Sequence, residues 1–299
     1  MTFFRCLLLL TVPIPIIRAQ ELPFSATPRG VVFTFLTETA SSIDTIDRAA
    51  FGERLAGEFM RSDPGSFHNM LPAGSRFRID SIPNLATAGE LRRVAAWVTV
   101  ETGGERENWY FFCVRDSIWR LAALRRFPTA SQRAQIRESL SEIDTTTAAF
   151  QMLRSDLQRM LLPDEALRDL FLANRADAGK LVEPLRRSRL WTRFALREVD
   201  FLKLEEYREL DDDIDAGDRI FYTLDRNAIE RLKRTIGLRQ IIREDIYPGL
   251  IFFVVGGIDR STIGFLHADD PGALPALSEN GFITLRPLGG GWWLYRRMK

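Results

Sequence analysis

Three strongly apolar segments in quick succession constrain this chain most: Arg93–Glu101 (RVAAWVTVE), Asn108–Arg115 (NWYFFCVR) and Ile118–Phe127 (IWRLAALRRF). Gly103-Gly104 separates the first two, and Asp116-Ser117 the second pair. Strands joined by so few residues pair only as antiparallel hairpins, because a parallel crossover needs a dozen residues or more. The middle segment is apolar on both faces, with Trp109, Phe111 and Cys113 on one and Tyr110, Phe112 and Val114 on the other. A strand of that kind must be covered on both sides. Arg76-Phe77-Arg78-Ile79 alternates and adds a further strand, so residues 75–127 read as sheet.

Residues 28–62 read as helical. Phe51, Leu55 and Phe59 recur at i, i+4 and i+8, which predicts a helix over 44–61 covering one face of the sheet. Ser42 or Asp44 suits its start, and Asp63-Pro64-Gly65 ends it. The other face needs a second layer, which the remainder of the chain can supply. Residues 129–236 are mainly helical, with candidate helices at Thr129–Ile143 and Thr145–Leu162. Pro163-Asp164 opens another, Asp164 serving as an N-cap or early-turn acid and Leu167, Leu170 and Phe171 forming its apolar side. A cluster of arginines (186, 187, 189, 193, 197) then precedes an acidic run from Asp200 to Asp218, and Ala228, Leu232 and Ile236 mark a helix over Asp225–Ile236. Sheet returns in Leu250–Ile258, Thr262–His267, Phe282–Pro287 and Trp292–Arg297, the last two joined through Gly289-Gly290-Gly291.

The fold class expected is therefore α+β, with two helix-plus-antiparallel-meander units. The divisions are a leader at 1–19, an α+β unit at 20–128, a helical segment at 129–236 and a second meander at 237–299 packing on that segment. The leader rests on MTFFRCLLLLTVPIPIIRAQ: Arg5, then an apolar stretch from Cys6 to Ile17, then Arg18-Ala19-Gln20. That is the layout of a secretory signal peptide, too short and too proline-rich to span a bilayer as a helix, with cleavage expected after Ala19. The expected location is secreted or periplasmic, with no transmembrane segment after cleavage. Cleavage removes Cys6 and leaves Cys113 without an intramolecular disulfide partner, so a core must hold the fold.

The helical region followed by VAAWVTV, NWYFFCVR and DSIWRLAALRRF resembles the nuclear transport factor 2-like, SnoaL-like superfamily. The resemblance covers roughly residues 28–128 and implies a bent sheet wrapped around a helix as a cone. Its enzymes place carboxylates, Tyr, Arg or His inside that cone, but none aligns here and no catalytic residue is carried over. The second meander, with GGIDRSTIGF and GWWLY, resembles the tails of uncharacterised exported bacterial proteins, which implies no activity.

Chemistry is thinly represented. Two histidines and two cysteines disfavour zinc fingers and disulfide scaffolds, and a formal charge of +1 offers no field for nucleic acid. No nucleophile elbow, Walker loop, dinucleotide fingerprint or His-Glu-x-x-His occurs, so no cofactor is expected. His68 lies in a turn-rich stretch and reads as a surface histidine. His267, before Asp269-Asp270, reads as a solvated strand end. Cys113 reads as buried and inert. LDDDIDAGD at 210–218 fails the EF-hand pattern: counted from Asp211, the sixth and twelfth positions are Ala216 and Tyr222. Trp97, Trp109, Tyr110 and Trp119 are the candidate ligand-binding residues, since pockets are mostly apolar with few polar groups. Of Trp292-Trp293, one side chain faces inward and the other outward, and with an exposed Tyr295 the outer one would mark a contact patch.

The reading that follows is an exported, non-enzymatic protein that binds a protein partner or a small ligand. The alternatives are a small-molecule hydrolase or isomerase using a pocket behind Trp97, Trp109 and Tyr110, and a calcium-stabilised structural module.

Overall fold

The computed structural model describes residues 27–40, 54–61, 71–72, 74–85, 92–128, 130–143, 148–187, 193–195, 224–258 and 261–298. The leader, Phe51, His68 and the acidic run from Asp200 to Asp218 lie outside these residues. The fold is α+β. The elements are α1 (Pro28–Ala40), α2 (Gly57–Arg61), β1 (Arg76–Ser81), β2 (Arg92–Thr102), β3 (Glu105–Arg115), β4 (Trp119–Arg126), α3 (Ala130–Glu142), α4 (Ala148–Met160), α5 (Asp164–Leu172), α6 (Arg175–Arg187), β5 (Arg193–Ala195), α7 (Arg226–Ile236), β6 (Gln240–Ile242), β7 (Ile251–Ile258), β8 (Ser261–His267), β9 (Phe282–Gly289) and β10 (Trp292–Met298).

The first sheet runs β1-β2-β3-β4, all antiparallel. Gly103 and Gly104 both take positive φ in the β2–β3 turn, a conformation glycine adopts without a Cβ clash. The second sheet runs β5-β6-β7-β8-β10-β9, and every pairing in it is antiparallel. β5 falls in the stretch 129–236 read as mainly helical, whereas β6 lies in residues 238–298, which read as sheet, although no strand is picked out there.

The helix expected over 44–61 is corrected in its described part. Leu55 does not lie on a helical stripe; it forms a bridge with Leu121 of β4. Ala56 N–H donates to the Leu121 carbonyl, and Leu121 N–H donates to the Arg54 carbonyl. This short piece of chain covers the β4 edge, which would otherwise present unpaired backbone groups. Gly57, at φ +55°, then turns the chain into α2, and a Cβ there would sit 2.9 Å from the Ala122 carbonyl oxygen. Burial of Leu55 and Phe59 thus reflects contact with the sheet rather than one continuous amphipathic helix.

The double-sided apolar pattern of β3 is met by two different layers. One face carries Val94, Ala96, Val98, Trp109, Phe111, Cys113 and Leu121, and packs against Val31, Val32, Phe35 and Leu36 of α1 with Leu55 and Phe59. The i, i+1, i+4, i+5 spacing on α1 gives that stripe. Phe35 meets Phe59 and Phe111 edge-on at centroid distances of 5.5 and 5.7 Å. The opposite face, carrying Ala95, Trp97, Tyr110, Phe112 and Ala123, belongs to the same buried cluster as α5, α6, α7 and the inner face of the second sheet. A bulge between Phe112 and Cys113, where β3 meets β4, keeps Leu121 and Ala123 on opposite faces.

Phe171 of α5 sits at the centre of that larger cluster. It stacks on Phe265 at 4.3 Å and meets Trp292 at 4.9 Å, joining the helical layer to β8 and β10. The outer face of the second sheet buries Phe252, Phe282 and Tyr295 under loop residues such as Tyr247 and Leu274. Tyr295 is therefore buried and forms no exposed patch with Trp293. Truncating Phe171 to Ala is expected to cost about 3–5 kcal/mol. The same change at the half-exposed Phe33 should cost much less, and urea unfolding of the two variants checks the contrast.

Candidate ligand-binding cleft between the two sheets

α5 begins with Asp164, immediately after Pro163, whose extended backbone (φ −69°, ψ 160°) sets the chain direction into the helix. Asp164 is not the N-cap: the helix start has no side-chain cap. Its backbone N–H donates instead to Asn108 Oδ1 of β3 at 2.7 Å. That leaves the carboxylate to turn sideways into the space between the sheets, where it is fully buried.

Every strong interaction of this carboxylate crosses from one part of the chain to another. Oδ1 accepts from Arg296 Nε of β10 at 2.8 Å. Oδ2 accepts from the Tyr110 hydroxyl of β3 at 2.8 Å. Arg286 Nε of β9 also lies 2.8 Å from Oδ2, but its N–H is not aligned on the oxygen, so this contact is an ion pair without a hydrogen bond. Arg296 is itself 1% exposed, and it spends its two remaining nitrogens on the carbonyls of Phe127 and Leu162, each at 3.1 Å. A buried ion pair that satisfies its other hydrogen-bonding groups in this way meets the condition for offsetting the loss of hydration.

A ring of polar contacts returns to the same point. Asn108 Nδ2 donates to Thr99 Oγ1 at 3.4 Å, and Thr99 Oγ1 donates to Asp80 Oδ2 at 2.7 Å. Asp80 Oδ2 lies 3.8 Å from Arg286 Nη2, and Arg286 closes the ring at Asp164. The Arg286 guanidinium lies 4.8 Å from the centroid of the Trp97 ring. These groups border a cleft of about 230 Å³, lined among others by Asp80, Trp97, Asp164, Glu165, Arg168 and Arg286.

Burial alone would raise the Asp164 pKa, but Arg296 and Arg286 outweigh it and hold the carboxylate ionised below its ordinary range. Burial and the neighbouring carboxylate push the Tyr110 phenol far up, so it stays a hydrogen-bond donor, although the two arginines oppose the shift.

The four aromatic residues singled out from the sequence do not share one pocket. Trp97 lines the cleft, and Tyr110, its cross-strand partner, reaches Asp164. Trp109 and Trp119 point to the opposite face and pack with the α1 layer. The alternation of a strand separates Trp109 from Tyr110. Cys113 lies on that same opposite face, and burial pushes its thiol up to about 12. His267 is not a solvated strand end: it is 9% exposed, hydrogen-bonded through Nδ1 to Arg186 Nη2 at 3.0 Å and edge-on to Trp292. Burial, then Arg186, lower its pKa despite Asp269. Sequence reading missed Asp164, Arg286 and Arg296 as a group. The available signal was the alternation of β10, which puts Arg296 on the same face as the inward Trp292 and Leu294.

Comparison with family models, with curated proteins and with solved structures finds no match to this chain. No helix among the described residues is long and apolar enough to cross a membrane.

Asp164→Ala is expected to cost about 3–5 kcal/mol, because it strands a buried guanidinium. Since the folded pKa of Asp164 is depressed, its contribution is present above the unfolded value of about 4 and fades as pH falls further. Unfolding free energies of wild type and Asp164→Asn should therefore differ most near neutrality and converge below about pH 4. A constant difference across that range would contradict the assignment.

Proposed function

We propose that this chain is an exported binding protein without catalytic activity, and that its ligand seat is the cleft beside Trp97 and Arg286. Export rests on the leader-like layout of residues 1–19. Binding rests on the cavity bordered by Trp97 and Arg286, and the absence of catalysis mainly on one observation: the buried acid and phenol beside it, Asp164 and Tyr110, are already engaged. Asp164 uses both oxygens on Arg296, Tyr110 and Arg286. A carboxylate held ionised and fully engaged is a weak general base at neutral pH, and a phenol pushed up by burial is a weak acid there. Groups tuned in this direction hold shape and field, whereas acid–base catalysis needs pKa values near the working pH.

The resemblance of residues 28–128 to SnoaL-like proteins is compatible with this reading, since that fold serves binding modules as well as enzymes. Here the proposed seat is the seam between the first sheet, α5 and β9, and α1 packs on the opposite side of the sheet. The cleft is smaller than a typical drug-sized pocket of about 300–1,000 Å³, which favours a small ligand or one end of a larger one.

A screen of small metabolites by thermal shift, followed by titration under indole-resolved NMR, tests the reading. Binding compounds should move the Trp97 indole resonance and leave that of Trp119 in place, without turnover. Turnover of any hit, abolished in Arg286→Met, would instead establish the hydrolase or isomerase alternative.

A further inference from the structure

The cleft has an imbalance between hydrogen-bond donors and acceptors. Each acidic group on its wall is already supplied. Asp80 accepts from Arg78 Nε at Oδ1 and from Thr99 at Oδ2, each at 2.7 Å. Glu165 Oε1 accepts from Arg78 Nη2 at 2.9 Å, and Oε2 lies 3.9 Å from Arg106 Nη1. Asp164 is engaged as described, with its side chain closed to solvent. The donors are not matched in the same way. Arg286 Nη2 is buried with no hydrogen-bond acceptor among the described residues; Asp80 Oδ2, at 3.8 Å, pairs with it in charge but is too far to accept. The indole Nε1 of Trp97 is likewise buried and without an acceptor, in a residue that is only 7% exposed. Both side chains line the same cleft, and they lie against each other.

Buried donors without acceptors forfeit the hydrogen bonds they make in water, so they are rare unless water or a ligand supplies the missing oxygen. A neutral hydroxyl would answer the indole but leave the guanidinium poorly used. A cation would find the acidic oxygens already taken and Arg286 repelling it. An oxyanion supplies two acceptor atoms and charge-assisted bonds to the guanidinium. The carboxylates of Asp80 and Asp164 already flank Arg286, at 3.8 and 2.8 Å, and their repulsion favours a singly charged carboxylate over a doubly charged phosphate.

We infer that the cleft binds the carboxylate of a small organic acid, held by Arg286 Nη2 and the Trp97 indole N–H. This rests on the reading of the cleft as a ligand seat and adds the chemical class of the occupant. The cleft's volume of about 230 Å³ suits an acid of a few heavy atoms.

The full chain is titrated with sodium acetate at constant ionic strength, with chloride as counter-salt. Inorganic phosphate, choline and glycerol serve as comparison probes. The readouts are the Trp97 indole N–H resonance, assigned by its loss in Trp97→Phe, and calorimetric affinity. Acetate should shift that resonance saturably and more tightly than phosphate. Arg286→Gln should weaken acetate binding at least tenfold, and Trp97→Phe, which keeps the ring and loses the donor, should weaken it severalfold. Should Arg286→Gln fail to fold, the Trp97→Phe calorimetry decides alone.

A shift reproduced by chloride, or an acetate affinity unchanged in Trp97→Phe, overturns the inference. Saturable binding of choline or glycerol in place of acetate also overturns it, while leaving the cleft a ligand seat. A cleft that answers none of the four probes removes the carboxylate inference. The wider binding reading falls separately, if the metabolite screen also leaves the Trp97 indole unmoved.

Discussion

A single carboxylate, that of Asp164, is the point through which the parts of this fold are tied. It belongs to the first turn of a helix, yet it is spent on a tyrosine of the first sheet and two arginines of the second. Taking such a charge out of water costs several kcal/mol, and partners at hydrogen-bonding distance are needed to offset it. Those partners are far apart in sequence, so the carboxylate is satisfied only when helix, first sheet and second sheet are all in place. Less buried ion pairs across the same seam, Arg93 with Glu279 and Arg78 with Glu165, reinforce the same arrangement.

The shared core follows the same logic. Among the described residues, the face of the first sheet that carries Trp97, Tyr110 and Phe112 is covered by α5 to α7 and the second sheet. Apolar burial supplies most of the driving force along this seam, and it is not directional. The ionic group sets which register is adopted, since sliding the two sheets would leave Arg296 or Asp164 unpaired. Where charged groups must meet, side chains cannot interdigitate as aliphatic ones do. The cleft lies at that place, beside Arg286 and Trp97.

Much of the fold was legible in the sequence because short turns and double-sided apolar strands leave few choices. VAAWVTV, NWYFFCV and the segment after DS could only become a meander, and it forms with the expected register-setting turns. The i, i+4, i+8 pattern of Ala228, Leu232 and Ile236 likewise marks α7. The Leu55–Phe59 segment misled because a residue bridging to a sheet edge and a residue on a helix can share that spacing. The three-residue strands β5 and β6 carry too few residues for a period to show. The site was half legible. Trp97 and Tyr110 stood out as aromatics of the first meander, but Asp164 looked like an ordinary helix-start acid and Arg296 was one residue of the strand Trp292–Arg297 with nothing local to single it out. Their meeting spans 132 residues of sequence, and no local pattern encodes it.

The most direct test of the account is a double-mutant cycle of unfolding free energies on Asp164→Asn and Arg296→Met. Asp164→Asn leaves the buried Arg296 guanidinium without its ionic partner, Arg296→Met leaves the carboxylate to Tyr110 and Arg286 alone, and the double change removes both charges of the pair. The account predicts a strongly non-additive cycle, with the double variant losing at least about 2 kcal/mol less than the sum of the singles. Additive losses would mean that the two residues do not act as a pair, and that apolar packing alone joins the sheets.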